Sequence, residues 1–206
     1  MKYKIYTDGS ALGQNKKIGW DRPPVRGGWA FVVLDESDNI VLKGSGNEID
    51  TTNNRMELLA ILTALRRVYK MDIDGEYIIY SDSNYSVESI ETYAKTWQEN
   101  GWRKRRGEIA NLDLIKPLFE AKKYVKYKLK WVKGHDGNEY NEMVDNMAVK
   151  KAKDFASDMG VWKCVECGDK LFSGDGVHIN GELYCKICSE EILIEEINHG
   201  SNCKEN

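Results

Sequence analysis

The distribution of cysteine divides this 206-residue chain more sharply than any other feature of its sequence. All five cysteines lie at or after Cys164, and none lies before it. The charge balance changes in the same region. Residues 1–159 hold 26 Lys and Arg against 24 Asp and Glu, whereas residues 160–206 hold 4 Lys against 9 Asp and Glu. Such a change in composition marks a boundary between modules. We predict a large domain over residues 1–157, a small module over 160–198 and a tail over 199–206.

The composition limits the classes of protein to which the chain can belong. Hydrophobic residues make up 41% of the chain, which is enough apolar surface for a sizeable core. No apolar run approaches the ~18 residues that a membrane span needs. The first residues, MKYKIYTDGS, contain no hydrophobic stretch typical of a secretory signal. We therefore expect a cytoplasmic protein.

The hydrophobic periodicity of residues 1–157 predicts an α/β fold. Alternating apolar residues indicate strands, and apolar residues at helical spacing indicate helices. A long polar loop is predicted over 9–26. The order of elements favours a mixed five-stranded sheet with helices on its faces. The predicted strands are 2–8, 28–35, 40–46, 76–81 and 126–132, and the predicted helices are approximately 55–69, 85–93, 94–99, 112–122 and 142–155.

Four acidic residues are placed where the predicted elements could bring them together. Asp8 and Asp82 each follow an apolar strand, and ligands of open α/β sheets gather at such strand ends. Glu57 and Asp145 lie at the starts of predicted helices. Each residue alone could serve only a turn, a helix cap or a helix dipole.

The four carboxylates together favour a metal site. Two like charges ~4 Å apart repel by about 4 kcal/mol at an effective dielectric of ~20, so a cluster of four requires divalent cations. Oxygen ligands without a neighbouring cysteine favour Mg²⁺ or Mn²⁺ over Zn²⁺. Two such ions ~3.5–4 Å apart can stabilise both the attacking and the leaving oxygen of a phosphoryl displacement. The pattern therefore predicts a nuclease-type site.

Four segments carry a resemblance to a known family. They are IYTDGSALG around Asp8, TTNNRMELLA around Glu57, YSDSNY around Asp82, and WVKGHDGNEYNEMVDNMA around His135 and Asp145. Together they make residues 1–157 resemble type 1 ribonuclease H, which cuts the RNA strand of an RNA–DNA hybrid.

The resemblance implies specific roles for these residues. One magnesium ion would be bridged by Asp8 and Asp82, and a second would be held by Asp8, Glu57 and Asp145. Hydrolysis would leave a 5′-phosphate and a 3′-hydroxyl. His135 would assist proton transfer and departure of the product.

The resemblance also implies two sets of substrate contacts. RNA is distinguished from DNA by its 2′-hydroxyl in the shallow minor groove, where amides can both donate and accept hydrogen bonds. Asn53, Asn54 and Asn84 are the candidates for that groove, and the Thr52 hydroxyl is the candidate for a DNA phosphate.

The segment 97–106, WQENGWRKRR, resembles the basic protrusion of the family, which grips the DNA strand. In this segment Trp102 offers a stacking face. Phosphate neutralisation is assigned to Arg103, Lys104, Arg105 and Arg106.

Two Cys-x-x-Cys pairs predict a four-cysteine zinc site in the second module. The pairs are Cys164 with Cys167 and Cys185 with Cys188, separated by 17 residues, which is typical of a structural zinc ribbon. Disulfides are disfavoured because the cytosol keeps thiols reduced. The acidic balance of this module opposes broad phosphate binding and favours a protein partner or a stabilising cap.

Two other classes of function remain open on the sequence. A hybrid-binding scaffold on an inactive nuclease fold is expected to lack at least one of the four carboxylates. A resolvase or integrase relative that acts on DNA alone is opposed by TTNNRMEL and by the basic segment, and cleavage of duplex DNA would favour it.

Overall fold

The computed structural model describes residues 1–13, 25–134 and 136–154, together with the backbone of four short strands further along the chain. The chain divides into two compact units, Met1–Phe155 and Ala156–Asn206. Among the described helices, none is both long enough and apolar enough to cross a bilayer.

A mixed five-stranded sheet forms the centre of the first unit, as the sequence predicts. The strands are β1 Lys2–Leu12, β2 Arg26–Leu34, β3 Ile40–Ile49, β4 Glu76–Ser81 and β5 Lys126–Trp131. Their order in the sheet is β3-β2-β1-β4-β5. The pairs β1/β2 and β2/β3 are antiparallel, whereas β1/β4 and β4/β5 are parallel.

Helices cover both faces of this sheet because successive strand side chains point to opposite sides. The α-helices are α1 Asn53–Lys70, α2 Asn84–Glu88, α3 Ala94–Glu99, α4 Leu112–Ala121 and α5 Glu139–Asp154. A π-helical turn, Ser89–Tyr93, joins α2 to α3. Ile5 belongs to the core that includes residues of α1, α3 and α4, whereas Tyr6 packs with α5 on the other face.

The first strand is longer than its sequence pattern predicts. The predicted strand ends at Asp8, but β1 continues to Leu12 because its antiparallel pairing with β2 extends to Leu12 opposite Arg26. The predicted loop over 9–26 is therefore wrong at both ends. Residues 14–24 of that loop lie outside the described residues.

Two helices begin earlier than predicted. The N-cap of α1 is Thr52, whose hydroxyl accepts a hydrogen bond from the Arg55 backbone N–H, so Glu57 lies in the second turn and does not complete a capping box. Helix α5 begins at Glu139, which moves Asp145 from the predicted first turn to the second. Both acidic residues therefore project from the body of a helix.

The second unit contains two antiparallel strand pairs. β6, Trp162–Lys163, pairs with β7, Lys170–Leu171. β8, Gly176–Ile179, pairs with β9, Glu182–Cys185. Three of the four predicted zinc ligands, Cys164, Cys167 and Cys188, lie outside the described residues, and for Cys185 the backbone alone is described.

Candidate active site

The parallel register of β1 and β4 places two of the predicted acidic residues side by side. The last paired residues are Tyr6 and Tyr80, so Asp8 and Asp82 each lie two residues beyond the same point. Alternation along both strands directs residues two apart to the same face. β1 continues past this point against β2, with Asp8 opposite Ala30, whereas β4 ends at Ser81. Asp8 is thereby held within a strand while Asp82 lies on the connection to α2.

Close packing of α1 on β1 brings the third carboxylate to the same place. A Cβ atom on Gly9 would lie 2.2 Å from the backbone nitrogen of Glu57 and 2.3 Å from the carbonyl carbon of Met56. A side chain at this position would therefore push the helix away from the strand. Gly9, which follows Asp8 directly in the sequence, lets Glu57 lie next to Asp8.

The three carboxylates converge on one small volume. Asp8, Glu57 and Asp82 each offer an oxygen atom, and these oxygens all lie within 4.8 Å of one another. Asp8 and Glu57 are buried, and Asp82 is half-buried. The Asp8 carboxylate accepts a hydrogen bond of 2.7 Å from the Gly9 backbone N–H.

Burial and mutual repulsion raise the pKa values of this cluster. The pKa of Asp8 is raised from its ordinary value of 3.8 to about 7. Burial of the carboxylate is the largest cause, and repulsion from the charge of Asp82 is the second. Burial and the charges of Asp8 and Asp82 raise the pKa of Glu57 well above its ordinary range. The cluster is therefore unfavourable when fully ionised unless positive charge is added to it.

The donor chemistry of the cluster fits a divalent cation. One carboxylate oxygen of Glu57, Oε2, is buried without a hydrogen-bond partner in the described part of the chain. A buried polar atom without a partner is unfavourable unless something binds it. Carboxylate oxygens are the ligands that Mg²⁺ and Mn²⁺ prefer, and a cation would satisfy Oε2 and offset the repulsion.

The fourth predicted carboxylate lies at the edge of this cluster. Asp145, half-buried on α5, is close enough for its charge to raise the pKa of Asp8, although its contribution is the last of the causes. It is outside the set of oxygens within 4.8 Å. His135, the predicted proton-transfer residue, lies outside the described residues.

The predicted minor-groove residues lie exposed beside the cluster, at the N-termini of α1 and α2. The side-chain oxygen of Asn53 accepts a hydrogen bond of 2.6 Å from the Ala11 backbone N–H, and its amide NH₂ group can still donate. The Thr52 hydroxyl accepts from the Arg55 N–H and keeps its own hydrogen to donate. The amide of Asn84 donates to Glu88 at 3.0 Å, and Asn54 is exposed.

The part of the segment 97–106 that follows α3 is exposed except for Trp102. Arg103, Lys104, Arg105 and Arg106 are all exposed. Trp102 is half-buried, and its ring makes an edge contact with Phe119 with ring centres 6.0 Å apart. One part of this ring therefore anchors the segment to α4, and the rest remains available for stacking.

Two residues next to Asp82 were missed by the sequence analysis. The indole N–H of Trp131 donates a hydrogen bond of 3.0 Å to the Asp82 carbonyl. A Cβ atom on Gly134 would lie 2.7 Å from Oδ2 of Asp82. Both residues belong to the segment WVKGHDG quoted above. Their contacts with Asp82 could not be predicted from that segment alone, because they depend on the pairing of β4 with β5.

The sheet order and the acidic cluster define a ribonuclease H-like fold with a candidate divalent-metal centre. The sequence pattern of the ribonuclease H family, described as RNase H, matches residues 1–153. A ribonuclease H of Neorickettsia sennetsu is 35% identical over 158 residues, covering 76% of this chain and 96% of the relative. A ribonuclease H of Treponema denticola is 31% identical over 163 residues, covering 73% of this chain and 96% of the relative. The chain belongs to the ribonuclease H family.

Solved structures agree with this assignment. LC9-RNase H1, described as a type 1 RNase H with the type 2 active-site motif, matches with a TM-score of 0.65 and 25% identity, over 92% of this chain and 80% of its own. LC11-RNase H1, solved in complex with an RNA/DNA hybrid, matches with a TM-score of 0.55 and 21% identity, over 75% of this chain and 99% of its own. The second comparison supports the fold.

Proposed function

We propose that this protein is a type 1 ribonuclease H that hydrolyses the RNA strand of RNA–DNA hybrids with two divalent ions, leaving 5′-phosphate and 3′-hydroxyl ends. The observation that carries the proposal is the convergence of Asp8, Glu57 and Asp82, whose carboxylate oxygens lie within 4.8 Å of one another although they come from β1, from α1 and from the connection after β4. Membership of the ribonuclease H family supplies the substrate class.

The four acidic residues hold the ions in this proposal. Asp8, Glu57 and Asp82, whose oxygens lie within 4.8 Å of one another, would hold the ions, and Asp145 would complete the ligand set from α5. The ions, when bound, supply an activated water and stabilise the leaving oxygen of the phosphodiester. The buried positions of Asp8 and Glu57 hold their carboxylates in fixed places before the substrate arrives. His135 is proposed to move the proton at the leaving oxygen.

The exposed residues beside the cluster position the hybrid. The exposed side chains of Asn53, Asn54 and Asn84 are proposed to contact the 2′-hydroxyls and base edges of the minor groove. Thr52 donates to a DNA phosphate. The basic segment, Arg103 to Arg106 with Trp102, neutralises further phosphates of the DNA strand, and its contribution falls as the salt concentration rises.

The substrate preference tests this proposal. Purified protein with Mg²⁺ is expected to cut the RNA strand of an RNA–DNA hybrid and to leave RNA duplex, DNA duplex and single-stranded RNA of the same sequence intact. End analysis of the products is expected to give 5′-phosphates. Binding without cleavage would instead support a scaffold, and cutting of DNA duplex would support a resolvase-like activity.

We further propose that the second unit holds one structural zinc ion through Cys164, Cys167, Cys185 and Cys188. Two backbone features support this. β6 and β7 pair on either side of the first Cys-x-x-Cys pair, and β9 ends at Cys185. These strands lie next to closely spaced cysteine pairs, and such pairs are the ligands typical of a four-thiolate structural zinc site.

Metal analysis tests the zinc proposal. We expect about one zinc ion per chain in protein purified without chelator, because four thiolates form a closed tetrahedral site. Cys164→Ser is expected to lose the zinc, while Cys203→Ser, which changes the one cysteine outside both pairs, keeps it. Zinc content below one ion per ten chains in freshly prepared reduced protein would contradict the proposal.

A further inference from the structure

Asp82 lies on a short stretch of backbone that belongs to neither a strand nor a helix. β4 ends at Ser81, and Ser83 is already the N-cap of α2, with its hydroxyl accepting from the Ser86 backbone N–H. A residue between two elements has fewer regular backbone hydrogen bonds to fix it. Other contacts must therefore hold Asp82 if its carboxylate is to keep one orientation.

The end of β5 provides such contacts to two consecutive residues. Trp131 is paired with Ser81 in the sheet, and the Val132 backbone N–H donates to the Ser81 carbonyl at 3.0 Å. The Trp131 indole N–H reaches one residue further and donates to the Asp82 carbonyl, also at 3.0 Å. The parallel pairing of β4 with β5 ends at Ser81, and the indole hydrogen bond of Trp131 therefore connects β5 to the next residue, Asp82.

The same chain segment also limits the space around the Asp82 carboxylate. Gly134 lies so close that a Cβ atom there would be 2.7 Å from Oδ2 of Asp82. The Asp82 carboxylate is thus close to Gly134 as well as to the carboxylates of Asp8 and Glu57. Trp131 and Gly134 contact the backbone and the side chain of Asp82, respectively.

Packing of its ring does not explain why residue 131 is a tryptophan. The Trp131 side chain is 52% exposed, so burial of its ring contributes far less than that of a core aromatic residue. Its polar atom is the part that makes a specific contact with the site. Loss of the indole N–H should therefore change Asp82 more than it changes the stability of the fold.

We infer that Trp131 is a positioning residue for the metal ligand Asp82, because its indole N–H holds the Asp82 carbonyl. Gly134 has a related role, because it lies against the Asp82 carboxylate. The inference rests on the proposed function, since it assumes that Asp82 binds a divalent ion. Groups that hydrogen-bond to metal-binding residues fix their orientation, and their loss commonly lowers metal affinity by roughly 10-fold or more.

Direct binding of Mn²⁺ to the full chain tests the inference without relying on activity. Free Mn²⁺ is followed by electron paramagnetic resonance, and the binding that disappears in Asp8→Asn is assigned to the acidic cluster. Trp131→Phe keeps an aromatic ring and removes the N–H donor. We expect its Mn²⁺ dissociation constant at the cluster to rise roughly 10-fold. Gly134→Ala is expected to weaken binding in the same direction by crowding the carboxylate.

Trp97→Phe is the matched control. Trp97 lies on α3, which carries none of the four acidic residues, and it packs on the core and stacks on Tyr93 with ring centres 5.6 Å apart. This variant should lower the melting temperature and leave the Mn²⁺ dissociation constant unchanged. Wild-type affinity in Trp131→Phe, with wild-type protein binding Mn²⁺ normally, would overturn the inference. Absence of cluster binding in the wild type would instead overturn the proposed function.

Discussion

Asp82→Asn is expected to lower the rate of hybrid cleavage roughly a thousandfold, a loss of about 4 kcal/mol of transition-state stabilisation. The amide keeps the size of the carboxylate but removes one of the three charges within 4.8 Å that would hold the ions. Affinity for the hybrid should change little, because Asn53, Asn54 and the basic segment lie outside the cluster. Single-turnover cleavage and a binding measurement on the same hybrid check both expectations.

Asp74→Asn is the control for this prediction. Asp74 is an exposed acidic residue just before β4, at the opposite end of the strand from Asp82. Asp74→Asn makes the same change in charge as Asp82→Asn. Because Asp74 lies at the other end of β4 from the cluster, this variant should cleave at the wild-type rate. Full activity in Asp82→Asn would show that the acidic cluster is not the metal centre.

Asp8→Asn is expected to abolish cleavage and at the same time to stabilise the first unit in the absence of added Mg²⁺ or Mn²⁺. Burial and the neighbouring Asp82 raise the pKa of Asp8 to about 7, so an ionised Asp8 is unfavourable in the folded protein. The difference from its ordinary value of 3.8 corresponds to about 4 kcal/mol. For a unit of this size the melting temperature at pH 8 should rise by roughly 10 °C.

The pH dependence follows from the same change in pKa. Because folding raises the pKa of Asp8, the folded state binds a proton more tightly than the unfolded state between about pH 4 and pH 7. The stability contributed by protonated Asp8 is therefore present at low pH and is lost as the pH rises through about 7. Thermal unfolding across this range should show a smaller decline for Asp8→Asn than for the wild type.

Bound metal should remove the difference in melting temperature between Asp8→Asn and the wild type. Saturating Mg²⁺ stabilises the wild type by binding its folded state, and Asp8→Asn should gain much less. If the melting temperature of Asp8→Asn were lower than that of the wild type at pH 8 without added Mg²⁺ or Mn²⁺, the account of repulsion within the cluster would be contradicted.

The sequence predicts the fold well where periodicity is local. The β4 bounds are predicted without error, and α4 is predicted to within one residue, because each has a clear apolar pattern with polar residues at both ends. The end of β1 could not be predicted in this way. Its second half is stabilised by pairing with β2, across a stretch of sequence with no strand pattern of its own.

The acidic residues of the site are predictable, but the reason for their convergence is not. Asp8 and Asp82 were predicted at strand ends, yet Asp8 lies inside β1, and the β1/β4 register brings the two together. Gly9 reads locally as part of a turn, although its function is to let α1 approach β1. Contacts between distant segments of this kind, including the Trp131 bond to Asp82, are visible only once the sheet is assembled.

The location of Mn²⁺ in crystals tests the central claim most directly. Anomalous scattering from crystals grown with Mn²⁺ identifies the ions without any assumption about activity. We predict two peaks at the acidic cluster, one bridged by Asp8 and Asp82 and one between Asp8, Glu57 and Asp145. An empty cluster, with Mn²⁺ bound only at other surface carboxylates, would contradict the account.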